Sequence, residues 1–288
     1  MTWEETIQLI RNKPEYGELI KNAYLDENLL LNVERYISSE EYRETKRMIT
    51  QYAPRAKTIL DVGSGNGISS IAFALEGYSV TACEPDPSNT VGAGATRWLK
   101  DYYGIKDLNV SQEYAEKISF PREFFDVVFG RQVMHHAYDL DAFIQNLSAM
   151  IRPRGFLITI RDHVIYDKID KESFLNNHPL QKFYGGENAF TLKEYLSAME
   201  KAGLRITRII RHYDSVINYA PLTTDEFKKM KEDYEKLNQL ELIKKIGFLG
   251  KIPFIMRIYA VKVRIKGHYV VKEEDIPGRM YSFIAQKK

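Results

Sequence analysis

The chain is short of several things, and each shortage excludes something. Among 288 residues there is one cysteine, Cys83, so no internal disulfide forms, and a lone thiol fits a reducing compartment. No run approaches the about eighteen apolar residues that a membrane-spanning helix needs. The N-terminus offers Glu4 and Glu5 in place of an apolar signal core, and a cytoplasmic protein is expected. Positive charge is barely in excess, at +2 from 41 basic and 39 acidic residues, which gives no argument for a nucleic-acid partner. No repeat is visible, and no ligand spacing suggests a metal. One region also lacks acid. Between Glu241 and Glu273 no Asp or Glu occurs, while eight Lys or Arg do.

What is present is the composition of a globular chain, 44% hydrophobic and 28% charged, long enough for one large domain or a domain with an elaboration. Its centre is Thr58 to Gly67. Ile59, Leu60 and Val62 read as a strand, Gly63, Gly65 and Gly67 follow at alternate positions, and Ile68, Ile71, Ala72 and Leu75 mark one face of a helix. Glycines are needed where the backbone turns sharply against a ligand, and a helix start offers free N–H groups. Asp61 at the strand mouth suits a cationic ligand group. Tyr78 to Cys83 reads as the next strand, closing on Glu84, which can accept from both hydroxyls of a ribose.

These residues resemble a known family. Asp61-Val62-Gly63-Ser64-Gly65-Asn66-Gly67 is similar to motif I of the class I S-adenosylmethionine-dependent methyltransferases, and Glu84 falls at that family's ribose-binding acid. The dinucleotide fingerprint spaces its last glycine one residue later. Phe125 to Phe129 resembles the family's fourth strand and Arg152 to Ile158 its turn into the fifth. The resemblance is good from about Lys57 to Arg161, weaker to Tyr213, and returns from Gly278 to Ala285. It implies a Rossmann-like α/β fold, with a seven-stranded, mostly parallel sheet and helices on both faces. It also implies S-adenosylmethionine as cofactor, held by Asp61, Gly63, Ser64, Gly65, Gly67, Glu84 and Pro85. Glu113 to Phe120 resembles the adenine loop, with Tyr114, Ala115 and Glu116 as contacts. Tyr114 stands where the family usually has aspartate, so stacking or backbone contact would replace the adenine amino bond.

The remaining segments follow in order. Residues 1–55 read as a helical cover, 56–213 as the core sheet, 214–278 as an insertion or lid, and 279–288 as the last strand. A helix from Ser88 to Tyr103, capped by Ser88, is expected. The strand Phe125 to Gly130 delivers Arg131, Gln132, Met134, His135 and His136 to the carboxyl edge of the sheet, where ligands bind in open α/β folds. The family often carries a small or amide residue at Arg131, which counts here as a cofactor contact. The strand Gly155 to Ile160 ends on Arg161-Asp162-His163. Asp162 could orient His163 as a base, or Arg161 and Asp162 could pair structurally. His163, Asp162, His135 and His136 are the catalytic candidates, and either of the paired histidines could equally serve as helix packing. Residues 164–190, with His178-Pro179 and Tyr184-Gly185-Gly186, suit a lid or substrate wall. Thr191 with Glu194 makes a capping box.

The segment 244–266 mixes basic residues with Phe248, Leu249, Phe254, Ile255, Ile258 and Tyr259, and Pro253 breaks any single helix. It suits peripheral contact with an anionic membrane, or a roof over the substrate pocket. The expected function is methyl transfer to a small-molecule acceptor: a hydroxyl of a sugar, lipid-linked sugar or phenol. A methyltransferase-like binding protein without catalysis and a nicotinamide-dependent oxidoreductase are the rivals.

Overall fold

The computed structural model describes residues 1–118, 120–266 and 278–288. Four helices lead: α1 (Trp3–Arg11), α2 (Gly17–Asn22), α3 (Leu29–Ser38) and α4 (Glu40–Tyr52). Alternation follows through β1 (Thr58–Val62), α5 (Ile68–Leu75), β2 (Ser79–Cys83), α6 (Ala93–Tyr102), β3 (Leu108–Ser111), β4 (Phe125–Arg131), α7 (Leu140–Met150) and β5 (Ile151–Ile165). The chain continues with α8 (Lys168–Asn177), α9 (Gln181–Tyr184), β6 (Phe190–Thr191), α10 (Leu192–Lys201), β7 (Leu204–Ile210), α11 (Thr224–Ile246), α12 (Pro253–Lys266) and β8 (Met280–Lys287).

The strands order as β3-β2-β1-β4-β5-β8-β7. β3, β2, β1, β4 and β5 run parallel, and β8 enters antiparallel between β5 and β7. Seven strands make the path, as expected. The eighth, β6, is a two-residue pairing with the far end of β5. Neighbouring residues of the central strands serve opposite faces. Ile59, Val127 and Ile158 pack with Tyr36 and Phe73, while Leu60, Val128 and Leu157 pack with Phe143 and Tyr195. Burial on both faces explains why these strands read as continuous apolar runs. Strand order reverses between β1 and β4, and the crevice at their carboxyl ends is where such sheets bind ligands.

Two expectations are corrected. The third long helix starts at Ala93, because Ser88 is used in a turn. Its N–H donates to Asp86 Oδ1 (2.8 Å) and its Oγ accepts from Val91 N–H (3.4 Å). The strand expected to stop at Ile160 runs on to Ile165, so the triplet Arg161-Asp162-His163 lies inside β5, fully buried. The run-on includes a bulge: register against β8 shifts between Thr159 and Asp162, and Arg161 has φ +61°. In the insertion, α11 begins with a Thr223–Glu226 capping box, and Pro253 opens α12 at a position that tolerates it. α11 docks through Tyr213 on Tyr234 (4.0 Å) and Tyr219 near Phe227 (5.6 Å). None of the described residues of α11 and α12 lines the cavity. Residues 267–277 of the expected insertion, and Ser119 of the adenine-like loop, lie outside the described residues.

The N-terminal cover divides in two. α3 and α4 pack on the sheet, with the Tyr42 hydroxyl donating to Ala72 O (3.0 Å). α1 and α2 instead close over the crevice, where Ile7, Ile10 and Ile20 cluster with Val91 and Leu180, and Trp3 meets Tyr184 edge to face at 5.0 Å.

Candidate active site

A cavity of about 890 Å³ lies at the carboxyl edge. One end is built by the turn after β1. Gly63, Gly65 and Gly67 all have positive φ, but for different reasons. A Cβ on Gly63 would meet Val133 at 2.4 Å, and one on Gly67 would meet Thr96 at 2.4 Å. Those two glycines are required by the protein's own packing. At Gly65 the nearest atom would be 3.8 Å away, so this glycine leaves room for something the chain itself does not supply. Glu84 Oε2 accepts from Gly65 N–H (2.8 Å) and Oε1 from Asp86 N–H (3.0 Å). Burial pushes this carboxyl up to about 7. Pro85, Tyr114, Ala115 and Glu116 line the same end, and Asn146 fixes the loop by donating to Ala115 O (2.7 Å). Tyr114 is largely exposed, its ring available for stacking. Ser64 Oγ is buried and hydrogen-bonds none of the described residues.

Two expected cofactor contacts, Asp61 and Gly67, are absent from the cavity lining. Asp61 is buried outside the cavity lining and accepts from the hydroxyls of Ser69 (2.6 Å) and Ser70 (2.5 Å). Burial pushes it up to about 6 against those hydrogen bonds. It staples the start of α5 to β1. Arg131 borders the cavity, but its guanidinium is committed to Glu41 (2.7 Å) beneath the rings of Tyr24 and Tyr36. Arg161 joins the same carboxylate at 3.1 Å, and it does not pair with Asp162. Burial alone would raise the Glu41 carboxyl, yet the two arginines outweigh it and hold Glu41 at about 2.

The other end of the cavity is floored by histidines. Asp162 does not orient His163. Its Oδ1 accepts from the backbone N–H of Met134 (2.8 Å) and of His135 (3.3 Å), and lies 3.2 Å from His135 Nδ1. Burial lifts Asp162 to about 7. It thereby fixes the short turn Met134–His136 and the ring of His135. The rings of His135 and His136 lie 4.1 Å apart, tilted by 38°, and His163 stands edge-on to His135 at 4.9 Å. Burial, then the neighbouring rings, holds His135 well below the usual imidazole range and His163 at about 3. His163 Nδ1 is buried and hydrogen-bonds none of the described residues. The sequence also implied a wall from 164–190, and His178, Tyr184, Gly186 and Glu187 do line the cavity. Glu187 and Glu41 went unnoticed as site residues. The only hint of Glu187 was its place beside Tyr184-Gly185-Gly186, and Glu41 looked like an ordinary first-turn acid.

Comparison with known proteins decides the family. A family model described as a methyltransferase domain matches residues 33–209. The chain belongs to that family. A ubiquinone biosynthesis O-methyltransferase of Azorhizobium caulinodans is 32% identical over 100 residues, 35% of this chain and 38% of that protein. The same enzyme of Rickettsia canadensis is 35% identical over 100 residues, 35% of this chain and 40% of that one. The chain thus matches well under half the length of these curated relatives. Geranyl diphosphate C-methyltransferase from Streptomyces coelicolor A3(2) was solved with Mg2+, geranyl-S-thiolodiphosphate and S-adenosyl-L-homocysteine. It shares the fold, with a TM-score of 0.56 at 14% identity over 96% of this chain and 83% of that one. In a methyltransferase-domain chain the cofactor is S-adenosylmethionine, and the residues present fit it: open space at Gly65, spare lone pairs on Glu84, an unused hydroxyl on Ser64, and a cavity that continues to the histidine floor.

Proposed function

We propose that the chain methylates a hydroxyl of a small-molecule acceptor, and that the hydroxyl is phenolic in preference to that of a sugar or lipid-linked sugar. The observation that carries this is the histidine floor, with His135, His136 and His163 lining the same cavity as Gly65 and Glu84. When bound, the cofactor supplies an already electrophilic methyl carbon. The chain's own residues then have three tasks. Gly63, Ser64, Gly65 and Glu84 hold the donor at one end. The floor of His135, His136 and His163, braced by Asp162, orients the acceptor oxygen. The cover of α1, α2 and α9 excludes water. His163, which lines the cavity, accepts the hydroxyl proton. A phenol, which ionises near pH 10, gives up that proton more readily than an alcohol does. The O-methyltransferase names of the relatives point to oxygen as well. A turnover screen over phenols, sugars, lipid-linked sugars and amines, reading S-adenosylhomocysteine release, tests this reading. Turnover confined to amines would overturn it.

The proposal extends to where the acceptor is met. No described helix is long and apolar enough to cross a membrane. The α11–α12 hairpin, however, shows solvent Phe248 (77% exposed) and Phe254 (69%), with Leu249, Ile258 and Val261 also exposed. These lie in the stretch that carries basic residues and no acid. Peripheral contact with an anionic bilayer is the use this surface supports.

A further inference from the structure

We propose that His135, His136 and Glu187 form a binding site for a divalent transition-metal ion on the floor of the cavity. One ligand atom from each lies within 4.8 Å of the other two. Four of the chain's six histidines, His135, His136, His163 and His178, meet in this corner.

Each donor is already aimed. His135 has Asp162 Oδ1 at its Nδ1 (3.2 Å), which leaves Nε2 facing Glu187 Oε2 at 3.8 Å. His136 has the Gly186 carbonyl at its Nδ1 (3.1 Å), which leaves its Nε2 free. A carboxylate and a backbone carbonyl on the remote ring nitrogens are the partners that metal-bound imidazoles use to fix their tautomer. Glu187 is held just as firmly. Its N–H donates to Gln181 Oε1 (2.9 Å), the Tyr184 hydroxyl donates to its Oε1, and His178 Nδ1 lies 3.6 Å from that same oxygen. Its Oε2 is left buried, hydrogen-bonding none of the described residues. A buried carboxylate oxygen without a donor is unfavourable unless something cationic satisfies it.

Two imidazoles and one carboxylate select a first-row ion such as Zn2+, Mn2+ or Co2+ over Mg2+ or Ca2+, which prefer all-oxygen shells. Bonds of about 2.1 Å need donors roughly 3–4 Å apart, a contraction that side-chain rotation can supply. Resting on the methyl-transfer reading, the ion has a use. All three ligands line the cavity, and an acceptor hydroxyl bound to the ion would be acidified: its O–H bond would break with the electron pair left on oxygen and the proton passed to His163, which lines the same cavity.

The test is titration of Co2+ into the chelator-stripped full chain, by calorimetry and visible absorption, with S-adenosylhomocysteine titrated in parallel. One ion per chain is expected. Glu187→Gln and His136→Ala should each weaken Co2+ at least tenfold, with S-adenosylhomocysteine affinity and melting temperature near the parent's. Absence of stoichiometric binding, or affinity unchanged in both variants, overturns the site. Cofactor binding without Co2+ binding removes the metal and leaves the methyltransferase reading. Co2+ binding without cofactor binding supports the site and removes that reading.

Discussion

Glu41 and Arg131 lie 90 residues apart in sequence and 2.7 Å apart in space. With Arg161 they tie the N-terminal helices to the end of β4 and the interior of β5. A buried carboxylate between two buried guanidinium groups is strongly unfavourable to break, because removing it strands both cations. Glu41→Gln should therefore cost about 3–5 kcal/mol in denaturant unfolding. A loss under 1 kcal/mol would show the triad to be incidental.

The same residue sets an acid limit. Its folded value of about 2 lies below the 4.5 of an ordinary glutamate, so the unfolded chain takes up the proton first. The contribution, on the order of 3 kcal/mol, is fully present above about pH 4.5 and is lost as pH falls toward 2. Unfolding free energy measured between pH 6 and 3 should fall less steeply in Glu41→Gln than in the parent.

At the donor end, Gly65→Val should abolish S-adenosylhomocysteine binding, since the branched side chain would enter the space left open there. Glu84→Ala should weaken binding by on the order of 1.5–3 kcal/mol, the scale of a charge-assisted hydrogen bond. Because Glu84 titrates at about 7, its proton must leave before it can accept from two hydroxyls. Affinity should rise as pH climbs from 6 to 8 and level off above, with a flat profile in Glu84→Gln. Parent-like affinity in folded Gly65→Val and Glu84→Ala chains would remove the donor site from this crevice.

At the acceptor end, His163→Ala should lower turnover by roughly a hundredfold or more and leave cofactor affinity unchanged. A loss that appears in melting temperature, with turnover per folded molecule intact, would make His163 a packing residue beside Phe174, 4.6 Å away.

For the α11–α12 hairpin, sedimentation with anionic vesicles should show binding that weakens with salt. Each engaged Lys or Arg contributes about 1 kcal/mol near such a surface. Phe254→Glu should remove the salt-resistant part. Failure to sediment at low salt would leave this face without a membrane role.

The donor half was legible in the sequence because it is local. Strand, glycine turn, helix and Glu84 fall within 27 residues, and each has its own propensity signature. Even there, side-chain direction was not legible: Asp61 turns back to Ser69 and Ser70, and Arg131 turns away to Glu41. Both choices depend on residues brought in by tertiary packing. The acceptor half was legible only as a list of polar residues. His135 pairs with Asp162 because a bulge realigns β5, and no periodicity announces a bulge at an arginine. Glu187 enters because α9 folds back under α1, a long-range event without local signal. The apolar spacing in 244–266 was equally visible, but spacing does not say which surface it faces.

The bulge at Arg161 places one extra residue in β5. Arg161 reports to the N-terminal helices and Asp162 to the histidine floor, although they are adjacent. Deleting Arg161 would let β5 straighten while Asp162 and His163 keep Tyr281 and Met280 as partners, and cross-strand partners share a face. The histidine floor would stay on its side of the sheet, and what would go is the tie from β5 to Glu41. The extra residue is thus a separate fitting, carrying the link to the N-terminal helices without being part of the floor.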